Sequence, residues 1–245
     1  MPQIRCPACA NTRTHPSLSK NSYQLFECAD CGHLFVSPIP TQELQALYTT
    51  APYMDSARVA REPNPKFRER AAAIAALRPR GRVLDVGCAF GNFLMAAREH
   101  GLDAEGIELN PRTAKRAEAQ GFAVVVGTME DNTLPSGRYD AVHLGDVIEH
   151  VPEPDSFILA CRRVFRPGGV LVVSTPRNDS AFARLTRRLH PLVPWSHATP
   201  PHHLQQFSLR SLHALLRRCD FEPRALIREA IPFGYELRAT GLWEP

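Results

Sequence analysis

The stretch Val83-Leu84-Asp85-Val86-Gly87-Cys88-Ala89-Phe90-Gly91 constrains this chain most, because it reads as a buried strand ending in an acid and running through a glycine-spaced turn into a helix. A strand-turn-helix of that kind starts a βαβ unit, and the residues after it repeat the pattern. Strand Arg82 to Val86 is followed by helix Asn92 to His100, and strand Ala104 to Glu108 by helix Pro111 to Gln120, which opens on a proline and stops at Gly121. Strand Phe122 to Val126 leads through a loop to strand Tyr139 to Leu144, then helix Asp155 to Phe165, the breaker Pro167-Gly168-Gly169 and strand Val170 to Ser174. The alternation predicts a parallel sheet with right-handed crossovers and helices on both faces, whose ligands bind at the carboxyl ends of the strands.

The first turn also limits the ligand. Gly87 and Gly91 let the backbone approach a bound molecule, and Asp85 sits beside them. A dinucleotide loop needs further glycines where this chain has Ala89 and Asn92, and a carboxylate just ahead of the loop repels a pyrophosphate. The same carboxylate suits a small ligand carrying a sulfonium and an ammonium. S-adenosylmethionine is such a ligand.

The N-terminus carries a different signal. Cys6-Pro7-Ala8-Cys9 and Cys28-Ala29-Asp30-Cys31 are separated by eighteen residues, a spacing at which two knuckle turns present four thiolates to zinc. Tyr23 to Glu27 and Gly32 to Val36 read as the strands of a zinc ribbon. A redox C-x-x-C belongs at the start of a helix, whereas these pairs lie in polar turns. Four thiolates close the coordination shell, so this zinc is structural and folds about forty residues too few to build a core of their own. Cys88, Cys161 and Cys219 are isolated in apolar stretches and read as small core residues.

Segment boundaries follow from composition: a zinc ribbon over 1–40, a proline-punctuated linker over 41–65 with a short helical pattern at Gln42 to Tyr48, and the α/β domain over 66–245, entered by a helix over Lys66 to Leu77. Residues 177–206, rich in proline and histidine, read as a loop insertion or lid. Leu209, Leu212, Leu215 and Leu216 recur at helical spacing, and Phe221 to Ile231 reads as a strand.

Charge and hydropathy exclude some partners. The 29 basic and 25 acidic side chains leave a net charge of +4 spread thinly, so composition demands no nucleic-acid partner. No apolar run reaches membrane-spanning length and no signal-peptide layout opens the chain; with the C-x-x-C pairs, this predicts a soluble, cytoplasmic protein.

In this order the motifs resemble class I S-adenosylmethionine-dependent methyltransferases. The resemblance rests on the Val83 to Gly91 loop, with Ala89 at the family's middle glycine; on Gly106-Ile107-Glu108-Leu109-Asn110; on Gly127-Thr128-Met129-Glu130-Asp131; and on Tyr139 to Val151, and it covers about residues 66 to 231. It implies a Rossmann-like α/β fold with an antiparallel C-terminal strand beside the small zinc ribbon. The cofactor site it implies is Asp85, Gly87, Cys88, Ala89, Gly91, Glu108, Leu109, Met129, Glu130 and Leu144. Glu108 would accept both ribose hydroxyls, and Leu109, Met129 and Glu130 would line the adenine slot, where Thr128 replaces the usual acidic partner. The ribbon, the Glu149-His150 pair and Pro201 to Ser208 resemble one bacterial branch of this family, whose members methylate sugars, lipid precursors or other metabolites; the layout is also similar to ubiquinone-pathway O-methyltransferases, which lack the ribbon.

An alcohol acceptor needs a base, and His150 is the first candidate, with His203 or His202 the second. Glu149, His150 and His203 also form a set that could hold a divalent ion. The expected function is methyl transfer from S-adenosylmethionine to a hydroxyl of a small-molecule acceptor. A zinc-knuckle ribosomal-RNA methyltransferase and a non-catalytic docking module are the alternatives. Against RNA, Arg5, Arg13 and Lys20 make no phosphate track, and the basic helix Arg184 to Arg188 is the one competing patch.

Overall fold

A computed structural model describes residues 4–44, 65–131, 133–190, 192, 199–226 and 236–242. Most of the 41–65 linker, including its short helical pattern beyond residue 44, falls outside these, as do part of the 177–206 segment and the end of the strand expected over Phe221 to Ile231.

In chain order the elements are β1 (Thr14–Lys20), β2 (Tyr23–Cys28), β3 (Leu34–Val36), α1 (Pro65–Leu77), β4 (Arg82–Val86), α2 (Asn92–Glu99), β5 (Asp103–Glu108), α3 (Pro111–Glu118), β6 (Val124–Val126) and β7 (Tyr139–Gly145). They continue with α4 (Pro154–Arg163), β8 (Phe165–Pro176), α5 (Ala181–Arg188), β9 (Gln205–Gln206), α6 (Leu209–Arg218), β10 (Glu222–Leu226) and β11 (Glu236–Leu242). The α/β alternation expected from sequence is present almost element for element.

The chain divides into two compact units that cut across the boundaries drawn from composition. One comprises 45–145, 159–172 and 242–245; the other gathers 1–44, 146–158 and 173–241. In the first, five strands lie in the order β8-β7-β4-β5-β6. β4 pairs in parallel with β5 and β7, and β5 with β6, so their carboxyl ends share one edge. The core of this unit packs Ala71 and Ile74 of α1 and Phe93, Ala96 and Ala97 of α2 against Val83, Ala141, Val170 and Val172 of the sheet. Apolar burial there supplies the main drive for folding.

The second unit holds an antiparallel sheet in the order β1-β2-β3-β9. Its first three strands come from the N-terminus, but β9 comes from residues 205–206, with Leu34 opposite Gln206 and Phe35 opposite Gln205. Arg187 of α5 forms an ion pair with Glu27 and donates to Ser17 Oγ at 2.7 Å, Arg218 of α6 donates to the carbonyls of Pro7 and Ala8 at 3.0 Å, and Ser208 Oγ donates to Cys31 O at 2.9 Å. The N-terminal strands therefore share their framework with segments more than 140 residues away in sequence. In the same unit β10 neighbours β11.

Three local expectations need correction. β1 was not foreseen: Thr-His-Pro-Ser-Leu-Ser-Lys is polar and holds a proline, which an edge strand tolerates at a register shift, here between Pro16 and Leu18. The strand expected to start at Val170 begins at Phe165 and passes through Pro167-Gly168-Gly169, Gly168 taking the bend at φ 76°. The 177–206 segment contains helix α5, capped by Ser180, whose hydroxyl accepts from Ala183 N at 3.1 Å.

Candidate functional sites

At the carboxyl edge of the parallel sheet, Gly106, Asp85 and His143 occupy one register row on β5, β4 and β7. That register brings His143 Nδ1 to 2.7 Å from Asp85 Oδ1. A carboxylate only accepts, so Nδ1 carries the proton. The His143 ring stacks on Phe93 with centroids 3.8 Å apart, and both partners of the bond are buried, His143 at 1% and Asp85 at 3% exposure. His143 was not foreseen as part of this site; the signal that finds it is register, since Asp85 and His143 lie opposite each other on paired strands.

The turn after Asp85 winds tightly: Gly87, Ala89 and Gly91 all take left-handed conformations, at φ 69°, 47° and 81°. Ala89 bears a Cβ there, which costs about 1–2 kcal/mol relative to glycine. Its backbone N–H donates to Glu108 Oε2 at 3.0 Å, while Glu108 Oε1 accepts from Asn110 N at 2.9 Å. One carboxylate therefore ties the β4 turn to the β5 turn, with lone pairs to spare on each oxygen. Burial pushes the Glu108 carboxyl above the ordinary glutamate range, opposed by the bonds from Asn110 and Ala89. Gly106 makes room beneath the turn, because a Cβ on it would lie 2.4 Å from Cys88 Sγ.

The other expected cofactor residues fall on the same edge. Gly87 is exposed and Leu109 is 39% exposed, beside Glu108. Cys88 is buried with Leu94 and Phe122, so its side chain serves packing. Leu144 and Met129 are buried and Glu130 is exposed. At the third turn Asp131 Oδ2 accepts from Thr128 N at 2.6 Å, which puts a carboxylate beside the position where Thr128 stands.

In the other unit, Cys6, Cys9, Cys28 and Cys31 cluster with their sulfurs within 4.8 Å of one another. Cys6 and Cys31 lie 3.7 Å apart and Cys9 and Cys28 3.5 Å. Four sulfurs at ~2.3 Å from a tetrahedral zinc are about 3.7 Å apart, so the spacing fits that ion. The hydrogen bond with Cys31 draws the Cys6 thiol down to about 5 against the effect of burial, while burial chiefly lifts Cys9 to about 11. Cys88, Cys161 and Cys219 are buried and unbridged, as expected of core residues.

The same unit brings Glu149, His150 and His203 together, their ligand atoms also within 4.8 Å of one another. His150 Nδ1 lies 2.6 Å from His202 O, to which it donates, and the backbone of Asp146 also hydrogen-bonds the ring. The His150 and His203 rings meet edge to face at 4.9 Å. Glu149, 1% exposed, accepts from Thr175 Oγ1 at 2.9 Å, and its carbonyl accepts from Leu204 N at 2.8 Å. Burial, the largest influence, lowers the His150 pKa below the usual histidine range. His202 contributes its backbone carbonyl to this group.

Comparison with known proteins identifies the class. A family model described as a methyltransferase domain matches residues 57–226, more than half of the chain, and the chain belongs to that family. Among curated proteins it is similar to ubiquinone biosynthesis O-methyltransferases: 37% identical over 109 residues to the one from Bordetella avium, covering 41% of this chain and 45% of that protein. The match to the Xanthomonas campestris protein (strain B100) is 37% over 128 residues, 49% of this chain and 53% of that one. The chain thus matches about half the length of these relatives. In fold it resembles 1,6-didemethyltoxoflavin-N1-methyltransferase of Burkholderia thailandensis, at TM-score 0.62 and 17% identity over 94% of this chain and 99% of that one. It also resembles a SAM-dependent methyltransferase of Thermotoga maritima, at 0.55 and 21% over 73% and 89%. Among the described residues, no helix is long and apolar enough to cross a membrane.

Proposed function

We propose that this protein transfers a methyl group from S-adenosylmethionine to a hydroxyl of a small molecule, a sugar, lipid precursor or secondary metabolite, and acts in the cytoplasm. The observation that carries the reading is the Glu108 carboxylate, which binds the β4 turn through Ala89 N and the β5 turn through Asn110 N at the carboxyl edge of a parallel sheet. Its remaining lone pairs suit two ribose hydroxyls. Asp85, fixed by His143, sets a negative charge behind the exposed Gly87 turn, which favours a cationic donor. Leu109, Met129 and Glu130 are assigned to the adenine, with Asp131 as a carboxylate for its amine; Cys88, Ala89, Gly91 and Leu144 shape the turn and its floor.

Transfer from a sulfonium is an in-line displacement. The carbon–oxygen bond forms as the carbon–sulfur bond breaks, the electron pair stays on sulfur, and the acceptor hydroxyl loses its proton. Alignment supplies much of the rate. The proton step is assigned to His150, kept neutral by burial and with its Nδ1 proton held by His202 O, and in second place to His203. Acceptance of a hydroxyl is supported by the names of the curated relatives. Zinc is assigned to Cys6, Cys9, Cys28 and Cys31, where it would supply folding energy and no open coordination position.

Calorimetric titration with S-adenosylmethionine, followed by turnover assays on hydroxylated small molecules, tests this reading. Binding at one site with turnover supports it. Absence of binding contradicts it; binding without turnover favours a docking module, and RNA retention that weakens steeply with salt favours a ribosomal-RNA substrate.

A further inference from the structure

We propose that His143 is a positioning residue that makes this protein prefer the charged methyl donor over its demethylated product. The inference rests on the methyl-transfer reading above. Donor and product share the adenine, the ribose and the amino-acid end, and they differ by one methyl group and the positive charge that it places on sulfur. Protein groups that touch only the shared parts hold both ligands alike. A fixed negative charge at the site tells them apart, because it attracts a sulfonium and has little to attract in a neutral thioether. Asp85 supplies such a charge, and His143 decides whether it is kept and where it points.

Asp85 lies one residue from the end of β4 and is 3% exposed; a carboxylate buried that far needs a partner, or it sheds its charge. The partner comes from the neighbouring strand. β4 and β7 run parallel with Asp85 opposite His143, and His143 Nδ1 donates to Asp85 Oδ1 at 2.7 Å. The ring is locked in place: it stacks on Phe93 at 3.8 Å between centroids, and it fills the space that Gly145 leaves, since a Cβ on Gly145 would lie 2.6 Å from His143 Cε1. At 1% exposure, His143 also keeps water from taking over as the donor.

The charge held this way is felt along the turn. Burial comes first among the causes that push the Cys88 thiol up, and the Asp85 charge second. Glu108, the other acid of this edge, is assigned to the ribose, which both ligands carry, so discrimination falls to the Asp85–His143 pair.

Calorimetry on the full-length protein with S-adenosylmethionine and with S-adenosylhomocysteine reads the preference directly, as the ratio of the two dissociation constants. His143→Phe keeps a ring to stack on Phe93 and removes the donor; the ratio is expected to move about ten-fold or more toward the product. His143→Asn offers an amide N–H in place of Nδ1 and is expected to restore most of the preference. Asp85→Asn keeps an acceptor for His143 and removes the charge, so it is expected to show the same shift even where His143→Phe folds poorly. A purely structural His143 would weaken both ligands equally. An unchanged ratio in His143→Phe, or in Asp85→Asn where His143→Phe does not fold, overturns the proposal, as does a ratio in His143→Asn as low as in His143→Phe. Failure of the wild-type protein to bind either ligand contradicts the methyl-transfer reading and this inference with it, whereas binding of both, with a ratio that these variants leave unmoved, removes this inference alone.

Discussion

The two compact units solve the problem of making a site in opposite ways. The parallel-sheet unit builds its edge from consecutive βα turns, so residues close in sequence are close in space: Asp85, Ala89, Glu108 and Asn110 lie within one stretch of the chain. The other unit builds from three distant segments. His33 Nε2 meets Gln205 Oε1 at 2.9 Å, Gln205 holds the carbonyls of Val151 and Pro152, and Ser208 caps the carbonyl of Cys31. The lesson is that a cysteine cluster which looks like a detachable appendage in sequence is structurally continuous with the Glu149, His150 and His203 group.

The largest effect expected is on the edge of the parallel sheet. Asp85→Ala removes the negative charge behind the turn and strands His143 in the interior, so S-adenosylmethionine affinity should fall by on the order of 100-fold or more by calorimetry. Wild-type affinity in that variant would refute the assignment of Asp85.

Next comes the other unit. His150→Ala should leave cofactor affinity unchanged and cut turnover by roughly 100-fold, while an unchanged rate would move the proton step to His203. Breaking the cysteine cluster sharpens the contrast between the units: Cys28→Ser should lower turnover and melting temperature far more than cofactor affinity, because β3 beside the cluster pairs with β9, and Gln205 of β9 holds the carbonyls of Val151 and Pro152. Equal loss of cofactor affinity would show that the two units fail together.

Glu108→Ala should weaken the cofactor by about 1.5–3 kcal/mol, roughly 10- to 150-fold. Since burial raises this carboxyl, wild-type affinity should begin to fall on acidification above the pH of ~4.3 at which a free glutamate titrates. Glu108→Gln should show no such fall, which direct titration across pH would check.

The smallest effect is at the turn itself. Ala89→Gly relieves a left-handed alanine and should raise stability by about 1 kcal/mol, seen as a rise of a few degrees in melting temperature. A drop would mean that the methyl group packs usefully where it stands.

How much of this was readable from the chain follows from the same contrast. β4 to β7 and their turns were legible because hydrophobic period and glycine punctuation are local, and Asp85 and Glu108 sit at the ends of strands whose limits those signals mark. His143 is not legible locally because its role depends on register between paired strands. The place of Asp131 is not legible either, because its carboxylate reaches the motif by folding back onto the amide of Thr128. The cysteine spacing announced a four-thiolate cluster, but nothing local in Gln205 and Gln206 announces a fourth strand beside β3, since two glutamines carry no alternation and owe their burial to partners far along the chain. Helix α5 is legible in its basic end, Arg184 to Arg188, while its start at the Ser180 cap and its ion pair to β2 are not.

The central claim is that the acid-and-glycine edge of the parallel sheet receives the methyl donor. Its most direct test is a crystal structure with S-adenosylhomocysteine, in which the ribose hydroxyls should bond Glu108 and the amino-acid end should lie over Gly87 near Asp85. A ligand bound elsewhere, or a phosphate-bearing nucleotide occupying that edge in its place, would contradict it.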